Sequence, residues 1–207
     1  MKLIIFGATG SIGSQLVRQA LEQGHSVTAF TRDPAKLTIR HDRLVPCQGD
    51  VLDPTAVEAA IAGHDAVLCS LGAGRKGTVR AVGTRRIIDA MQRLGVQRLI
   101  CQSTLGVGES WGNLNAFWKY FMFGFLLRPA YRDHVQQESY VWQSHLDWTV
   151  VRPGAFTDGE RTDRYRYGFP GTDRTTKLKI SRADVASFML KQLADNTYLH
   201  RMVGLSY

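Results

Sequence analysis

Residues 2–13 read Lys-Leu-Ile-Ile-Phe-Gly-Ala-Thr-Gly-Ser-Ile-Gly, an apolar run that enters a turn with regularly spaced glycines. A helical pattern over residues 11–23 follows at once. We expect Gly7 to permit the tight turn, Gly10 to let backbone N–H groups approach a phosphate, and Gly13 to let the helix pack closely on the strand. The helix N-terminus would then offer unpaired N–H donors to an anion. This stretch therefore predicts the strand, turn and helix of a nucleotide-binding α/β fold.

The rest of the chain alternates between apolar runs and helical patterns. Further strands are predicted over residues 26–31, 43–48, 65–70, 96–103, 146–151 and 199–205. Further helices are predicted over residues 54–62, 78–94, 131–144 and 182–194. Such alternation with almost continuous apolar strands is typical of a parallel sheet covered by helices on both faces. We predict one Rossmann-type, doubly wound α/β domain over residues 1–207, with an aromatic insertion at about 108–130 and a basic loop at about 158–180, which we expect to be mobile.

The end of the second strand distinguishes NAD from NADP. An NAD site would place a carboxylate here to bond the ribose 2′-OH. Asp33 is the candidate, but it precedes Pro34, which favours a helix N-cap followed by proline at the first helical position. Arg32 and Lys36 would place two cations beside a 2′-phosphate; the less favoured alternative is that both are solvated surface cations. We therefore predict that the site prefers NADP.

Several motifs together resemble the atypical, NmrA-like short-chain dehydrogenase/reductase group. They are Phe-Gly-Ala-Thr-Gly-Ser-Ile-Gly at 6–13, Thr-Arg-Asp-Pro at 31–34, Gly-Asp-Val at 49–51, Leu-Gly-Ala-Gly at 71–74, Gly-Thr at 83–84, Asp-Trp-Thr-Val-Val-Arg-Pro-Gly at 147–154 and Ile-Ser-Arg-Ala-Asp-Val-Ala at 180–186. Within that group the chain is similar to the branch of NADPH-dependent flavin and biliverdin-IXβ reductases. The similarity covers nearly the whole chain and is weak between residues 106 and 133.

The resemblance implies a set of site residues. It gives Ser103 the place of the active-site serine. The positions implied to contact the cofactor, from the pyrophosphate and 2′-phosphate to the adenine and nicotinamide, are Gly7, Thr9, Gly10, Ser11, Ile12, Arg32, Lys36, Asp50, Val51, Gly72, Ala73, Arg75, Cys101, His134 and Gly154. From the residues alone, a role for Asp50 as a turn cap is as well supported as a role in the site. For Ser103, a strand-end hydroxyl bonded to its own backbone is likewise as well supported as an active-site serine.

The chain departs from the wider superfamily at its general acid. Ordinary members use Tyr-x-x-x-Lys, but here Tyr131 is followed four residues later by Val135, and Tyr140 by Ser144. Reduction of a ketone needs a proton delivered to oxygen, whereas flavins and linear tetrapyrroles take hydride into a conjugated system and can be protonated by solvent. We therefore predict an NADPH-dependent reductase of a flat, anionic acceptor such as FMN, FAD or biliverdin. The alternatives are a non-catalytic NADP sensor that binds a partner, and a sugar or quinone reductase.

Composition agrees with small anionic ligands. The formal net charge of +8 and the pI near 9.7 favour anionic partners, but the basic residues are scattered and form no nucleic-acid module. Cys47, Cys69 and Cys101 have no metal or disulfide spacing, so we expect buried free thiols, no metal and a reducing compartment. The first apolar run is already a strand and too short for a signal peptide. We expect a cytoplasmic protein.

Two further features leave alternatives open. Residues 114–127 are apolar almost all round and carry only Lys119 as a charge. A membrane span needs ~20 such residues, so we expect no transmembrane span, and the segment is a core helix, an aromatic lid over a flat substrate, or a contact with a partner or a membrane surface. His134 and Glu138 share a helix face and form either a proton relay or, more commonly, an exposed surface pair.

Overall fold

The computed structural model describes residues 1–72, 74 and 78–207. Its strands are β1 (Lys2–Phe6), β2 (Ser26–Thr31), β3 (Leu44–Gln48), β4 (Ala66–Cys69), β5 (Arg98–Gln102), β6 (Asp147–Pro153), β7 (Ala155–Thr157), β8 (Arg166–Tyr167), β9 (Lys179–Ser181) and β10 (Arg201–Ser206). Its α-helices are α1 (Gly13–Glu22), α2 (Pro54–Ile61), α3 (Val79–Leu94), α4 (Arg128–Trp142) and α5 (Arg182–Lys191). The 3₁₀ helices are Pro34–Lys36 and Gly108–Asn113, and a π-helix covers Phe117–Leu126.

The central sheet confirms the predicted Rossmann topology. Its order is β3-β2-β1-β4-β5-β6-β10-β8, and every pairing is parallel except the edge pair of β10 and β8. The chain winds outward from β1 to β3 and then returns to the other side of β1 as β4. Ligands of such sheets bind beyond the carboxyl ends of the strands at this point of reversal. A separate two-stranded parallel pair joins β7 and β9.

Side chains of each central strand alternate between the two faces of the sheet. Leu3 and Ile5 of β1 belong to one buried cluster, together with residues of α1 and α5. Ile4 and Phe6 belong to a second cluster, with residues of α2 and α3. Because successive side chains of a strand point to opposite faces, helices cover both sides of the sheet, as the sequence predicted.

Most helix ends follow the predicted chemistry. The Asp53 carboxylate accepts from two N–H groups in the first turn of α2, and the Ser181 hydroxyl accepts from the N–H of Asp184 in α5. Asp33 caps a 3₁₀ turn by accepting from the N–H of Ala35. Helix α1 begins at Gly13, two residues later than expected, because the preceding residues form a turn closed by the N–H of Gly10 on the carbonyl of Gly7 at 2.9 Å.

The aromatic segment 114–127 is divided between interior and surface. Phe123 is buried with Leu105 and Leu114. Four aromatic side chains are more than half exposed to solvent: Phe117, Tyr120, Phe121 and Phe125. The core-helix alternative therefore holds for only part of the segment, and a contact of the exposed face with a partner or a membrane surface stays a prediction. None of the helices in the described part of the chain has the length and apolar character needed to cross a bilayer.

The start of the basic segment 158–180 is held by hydrogen bonds, and the mobility that its composition suggests stays a prediction. The buried carboxylate of Asp184 accepts hydrogen bonds from the N–H and the hydroxyl of Thr162, the N–H of Asp163 and the hydroxyl of Tyr207. Arg166, within this segment, forms β8 with Tyr167 and pairs with Asp173. The carboxylate of Asp184 thus holds residues 162 and 163 of the basic segment against helix α5.

Candidate active site

The glycine turn after β1 is built by close contacts. Gly7 has φ of +82°, and a Cβ there would overlap the carbonyl of Ser70 at the end of β4. A Cβ on Gly13 would overlap the carbonyl of Gly7 itself, so helix α1 approaches the turn more closely than any side chain would allow. The N–H groups of Ser11 and Ile12 have no partner among the residues that the structure describes. They remain available for an anion at the helix N-terminus.

A first cavity of about 330 Å³ lies at the carboxyl ends of β1, β2 and β3. The predicted residues that line it are Gly7, Thr9, Gly10, Arg32, Lys36, Asp50, Val51 and Gly72. These positions are distant in sequence, and the ends of parallel strands bring them together, as expected for this topology. The cavity has the place and the lining of an adenosine site.

Some polar side chains of this cavity are already engaged in hydrogen bonds or ion pairs with other protein groups, whereas others are exposed. Asp33 is occupied twice, as the cap on Ala35 and in an ion pair with Lys36 at 3.6 Å, which leaves it poorly placed to receive a ribose hydroxyl. Asp50 accepts from the N–H of Leu52 at 2.9 Å, so the turn-cap alternative raised from the sequence is present in the structure. The side chain of Arg32 is exposed at the mouth of the cavity.

A second cavity of about 150 Å³ continues from the first and shares Gly10 and Gly72 with it. Ser11, Ile12, Ser103 and His134 also line this cavity, along with other residues. The N–H of Ser103 donates to the carbonyl of Val151 in β6 at 2.7 Å, which fixes the end of β5. The Ser103 Oγ atom then lies 3.5 Å from Nδ1 of His134. Serine and histidine therefore meet where the crevice leaves the nucleotide turn.

His134 belongs to a buried polar network. Its Nδ1 lies 3.2 Å from Oε1 of Gln137, and Nε2 of Gln137 donates to Oγ1 of Thr84 at 3.0 Å and to Sγ of Cys101 at 3.3 Å. Burial, reinforced by the positive charge of Arg80, lowers the pKa of His134 to about 3. The imidazole is therefore neutral at physiological pH and does not supply a proton as an imidazolium acid.

The expected pairing of His134 with Glu138 is wrong. Both side chains are buried, so they do not form an exposed surface pair. Both carboxylate oxygens of Glu138 accept from Arg152 instead, at 2.9 and 2.6 Å. Because a neighbouring strand supplies this strong cation, Glu138 is engaged in an ion pair rather than in a relay with the histidine.

The structure does not bring every predicted contact to the crevice. Cys101 is fully buried beneath Gln137, so its geometry does not support direct contact with a cofactor. Cys69 is equally buried, whereas Cys47 is only partly so. Ala73 and Arg75 lie outside the described residues.

A third cavity of about 320 Å³ adjoins the second and shares Arg80, Thr104 and His134 with it. Its lining is largely apolar and aromatic, and includes Leu114, Trp118, Phe123, Leu127, Tyr131, Gly154, Phe156, Leu178 and Arg182. Trp118 and Phe123 come from the aromatic segment, which therefore forms one wall of the cavity. That this segment covers a flat substrate stays a prediction.

Two guanidinium groups lie at the third cavity. Arg80 pairs with the buried Asp133 at 3.4 Å, and Arg182 pairs with the exposed Asp158 at 2.7 Å. Sequence reasoning missed Arg80 and named Arg182 only as part of a motif. Arg80 lies in the first turn of α3, and no spacing rule links it to Ser103 or His134.

Tyr131 is the hydroxyl-bearing aromatic residue of this cavity. Its hydroxyl donates to the carbonyl of Gly106 at 3.3 Å. Burial and the charge of Glu138 raise the pKa of this phenol above 10.0, its ordinary value. Tyr131 is therefore a weaker acid than an ordinary tyrosine, whereas general-acid catalysis requires a pKa near the working pH. Sequence analysis named Tyr131 as lacking the partner lysine but did not place it in the site.

The turn, the first cavity and the point of strand reversal are those of a Rossmann protein with a nucleotide site. The family described as NAD(P)H-binding matches residues 7–196, and the chain belongs to this family, in the atypical short-chain dehydrogenase/reductase group. The cofactor of this family is a nicotinamide nucleotide.

The chain is similar in sequence or structure to several known proteins, and the fraction of each protein that it covers differs. An uncharacterized chloroplastic protein of Arabidopsis thaliana is 31% identical over 176 residues, which are 78% of this chain and 61% of that protein. A 3-beta-hydroxysteroid dehydrogenase of Mycolicibacterium neoaurum is 32% identical over 113 residues, 48% of this chain and 31% of the enzyme. The chain thus spans less than two thirds of both relatives. The solved structure of the anaerobilin reductase ChuY from Escherichia coli O157:H7 has a TM-score of 0.82 and 25% identity, and the match covers 100% of this chain and 97% of ChuY.

Proposed function

We propose that this protein is an NADPH-dependent reductase that transfers hydride to a flat, conjugated, anionic acceptor, either a free flavin or a biliverdin-type tetrapyrrole. When bound, NADPH supplies the hydride. The chain's own residues hold the cofactor and the acceptor, align the two rings and exclude water from between them.

The aromatic cavity beside Ser103 and His134 is the observation that carries this proposal. Aromatic and apolar walls suit a planar ring system, and a volume of about 320 Å³ falls in the range of small-molecule sites. The guanidinium groups of Arg80 and Arg182 suit an acceptor that carries phosphate or carboxylate groups. The acceptor would enter this cavity and meet the cofactor ring at the second one.

The acid–base chemistry of the site supports an acceptor that needs no strong general acid. His134 is neutral because its pKa is lowered to about 3, and the raised pKa of Tyr131 makes this phenol a weak acid. A ketone reductase would need a proton donor at this point. A conjugated acceptor spreads the added charge, so water can protonate it afterwards. In this proposal Ser103 orients the rings at the junction of the cavities.

The cation pattern of the first cavity supports NADP over NAD. Arg32 and Lys36 line the cavity, while the carboxylate of Asp33 is occupied by Ala35 and Lys36. A 2′-phosphate would meet two cations there. The likeness to ChuY adds support for a tetrapyrrole-type acceptor, since that protein is described as an anaerobilin reductase.

Acceptor-dependent oxidation of the cofactor tests the proposal. The purified protein should oxidise NADPH faster than NADH when FMN or biliverdin is added, and a benzoquinone forms a third arm for the quinone alternative. A Ser103→Ala variant should turn over more slowly, while Ser144→Ala, at the end of α4, should not change. Cofactor binding without turnover of any acceptor would instead identify the non-catalytic sensor and refute the reductase.

A further inference from the structure

We propose that Ser103 and His134 form a donor–acceptor pair that recognises an amide edge, –CO–NH–, and that Gln137 is the positioning residue that sets its polarity. The inference rests on the proposed function for the identity of the ligand, but the polarity of the pair can be measured on the protein alone. It assigns a specific hydrogen-bonding task to each of the two polar groups at the junction of the cavities.

The structure directs Nε2 of Gln137 toward α3 and β5, and Oε1 toward His134. This residue is fully buried, and its Nε2 group donates to Oγ1 of Thr84 and to Sγ of Cys101. Both N–H groups are thus used on the side facing α3 and β5. The remaining amide atom, the acceptor Oε1, lies on the side of His134 at 3.2 Å from Nδ1.

This orientation determines the tautomer of His134. A carbonyl oxygen cannot donate, so the contact with Oε1 requires the proton to reside on Nδ1. The neutral ring then carries a lone pair on Nε2. Among the described residues, Nε2 of His134 has no hydrogen-bond partner, and His134 lines both the second and the third cavity. His134 therefore offers a hydrogen-bond acceptor to a ligand.

The hydroxyl of Ser103 has the opposite character. Because Nδ1 of His134 carries a proton directed at Gln137, it cannot also accept a strong bond from Ser103, and the 3.5 Å separation agrees with a weak contact. The Ser103 proton is free to point into the second cavity. The donor Oγ of Ser103 and the acceptor Nε2 of His134 then both serve the second cavity. Because both residues are buried, a ligand group that leaves either atom without a hydrogen bond loses binding free energy.

A ligand edge with a carbonyl next to an N–H group complements this pair. Two sources of that chemistry belong to the proposed reaction. One is the carboxamide of the nicotinamide ring, and the other is the imide or lactam edge that flavins and linear tetrapyrroles carry. A site that offers one donor and one acceptor to such an edge binds analogues that lack the carbonyl or the N–H group much more weakly.

The tautomer is tested by nitrogen-15 NMR of the imidazole rings at neutral pH. Two other histidines serve as internal references. His64 has Nδ1 at 3.2 Å from the carbonyl of Ile61, which requires a proton on Nδ1, and His200 has Nε2 at 3.0 Å from the carbonyl of Leu146, which requires a proton on Nε2. His134 should show the pattern of His64. A pattern like that of His200 would overturn the proposal whether or not the protein is a reductase.

The ligand arm compares analogues in the wild type and in His134→Leu. For the cofactor, NADP⁺ is compared with its 3-acetylpyridine analogue, which keeps the carbonyl and lacks the N–H group. For the acceptor, FMN is compared with N3-methyl FMN. The wild type should discriminate by about tenfold or more in at least one arm, and the variant should lose that preference. The arm that responds identifies the source of the amide.

Other results of these experiments would overturn either the recognition of an amide edge or the proposed function. Absence of discrimination in the wild type, or equal discrimination in His134→Leu, would overturn the recognition of an amide edge. Failure to bind any pyridine nucleotide would refute the proposed function, while the NMR measurement would still judge the polarity that Gln137 imposes. Gln137→Met should then allow His134 to populate both tautomers, with the signals of His64 and His200 unchanged.

Discussion

Both carboxylate oxygens of Glu138 accept hydrogen bonds from the guanidinium of Arg152, and the pair is almost entirely removed from solvent. The same guanidinium reaches Glu109 at 2.6 Å. Arg152 thereby ties β6, α4 and the 3₁₀ helix that precedes the aromatic segment to one point. Arginine is suited to this task because its planar group donates in several directions at once.

Breaking this pair should destabilise the protein strongly. Glu138→Leu would leave a buried guanidinium without its main partner, which typically costs about 3–5 kcal/mol of unfolding free energy. Urea denaturation measures the loss. The exposed pair of Arg93 and Glu58, at 2.8 Å, gives a matched control, and Glu58→Leu should cost less than about 1 kcal/mol. Equal effects of the two substitutions would contradict the role assigned to Glu138.

A methyl group at Gly7 should disrupt the nucleotide turn. Gly7 and Gly63 both have positive φ values, of +82° and +75°, but only at Gly7 would a Cβ overlap backbone atoms. Gly63→Ala should therefore cost about 1 kcal/mol, for the backbone conformation alone. Gly7→Ala should cost clearly more and also abolish nucleotide binding, as followed by thermal unfolding and by fluorescence titration with NADPH. Normal NADPH affinity in Gly7→Ala would show that the turn does not hold the cofactor.

Arg32 should discriminate between the two nicotinamide cofactors. Arg32→Ala removes a charge that only the 2′-phosphate of NADPH can use, so the Kd of NADPH should rise by about tenfold or more while that of NADH changes little. Arg40→Ala, another exposed arginine near the same region of the chain, serves as the control. The result that sinks this prediction is a parallel loss of affinity for both cofactors.

His134 should make stability fall as the solution becomes acidic. Its pKa is lowered from 6.5 to about 3 in the folded protein, so the unfolded chain binds a proton at a higher pH than the folded chain does. The associated stability is fully present above pH 6.5 and decreases as the pH falls from there toward 3, with a slope approaching about 1.4 kcal/mol per pH unit.

Urea denaturation between about pH 7 and pH 5, where few carboxylates titrate, measures the contribution of His134 to the pH dependence of the unfolding free energy. His134→Leu should flatten the dependence, because the group that the folded state keeps neutral is gone. An unchanged slope in His134→Leu would mean that folding does not lower the pKa of His134.

The sequence predicted those parts of the site that depend on strand ends. Gly7, Arg32 and Asp50 could be placed in one crevice because parallel strands finish at the same edge of a sheet. The aromatic cavity could not be predicted in the same way. Tyr131 and Phe156 reach it from a helix and from the small sheet of β7 and β9, whose packing depends on contacts between distant segments.

The error over Glu138 has a similar origin. Helix periodicity correctly placed His134 and Glu138 on one face, but it carries no information about which other element packs against that face. Arg152 lies at the end of β6 and was quoted only as part of a motif. The start of α4 at Arg128 was also missed, although Pro129 in its first turn is a typical helix-start signal, because the preceding π-helix runs directly into α4.

The three cavities share residues at each junction: Gly10 and Gly72 belong to the first and second, and Arg80 and His134 to the second and third. A single elongated compound could therefore occupy all of them. Fragments found separately for the adenosine end and for the aromatic end could be joined by a short linker that passes the glycines. Such a bisubstrate inhibitor would gain affinity from two weak binders, since the second one no longer loses its translational freedom.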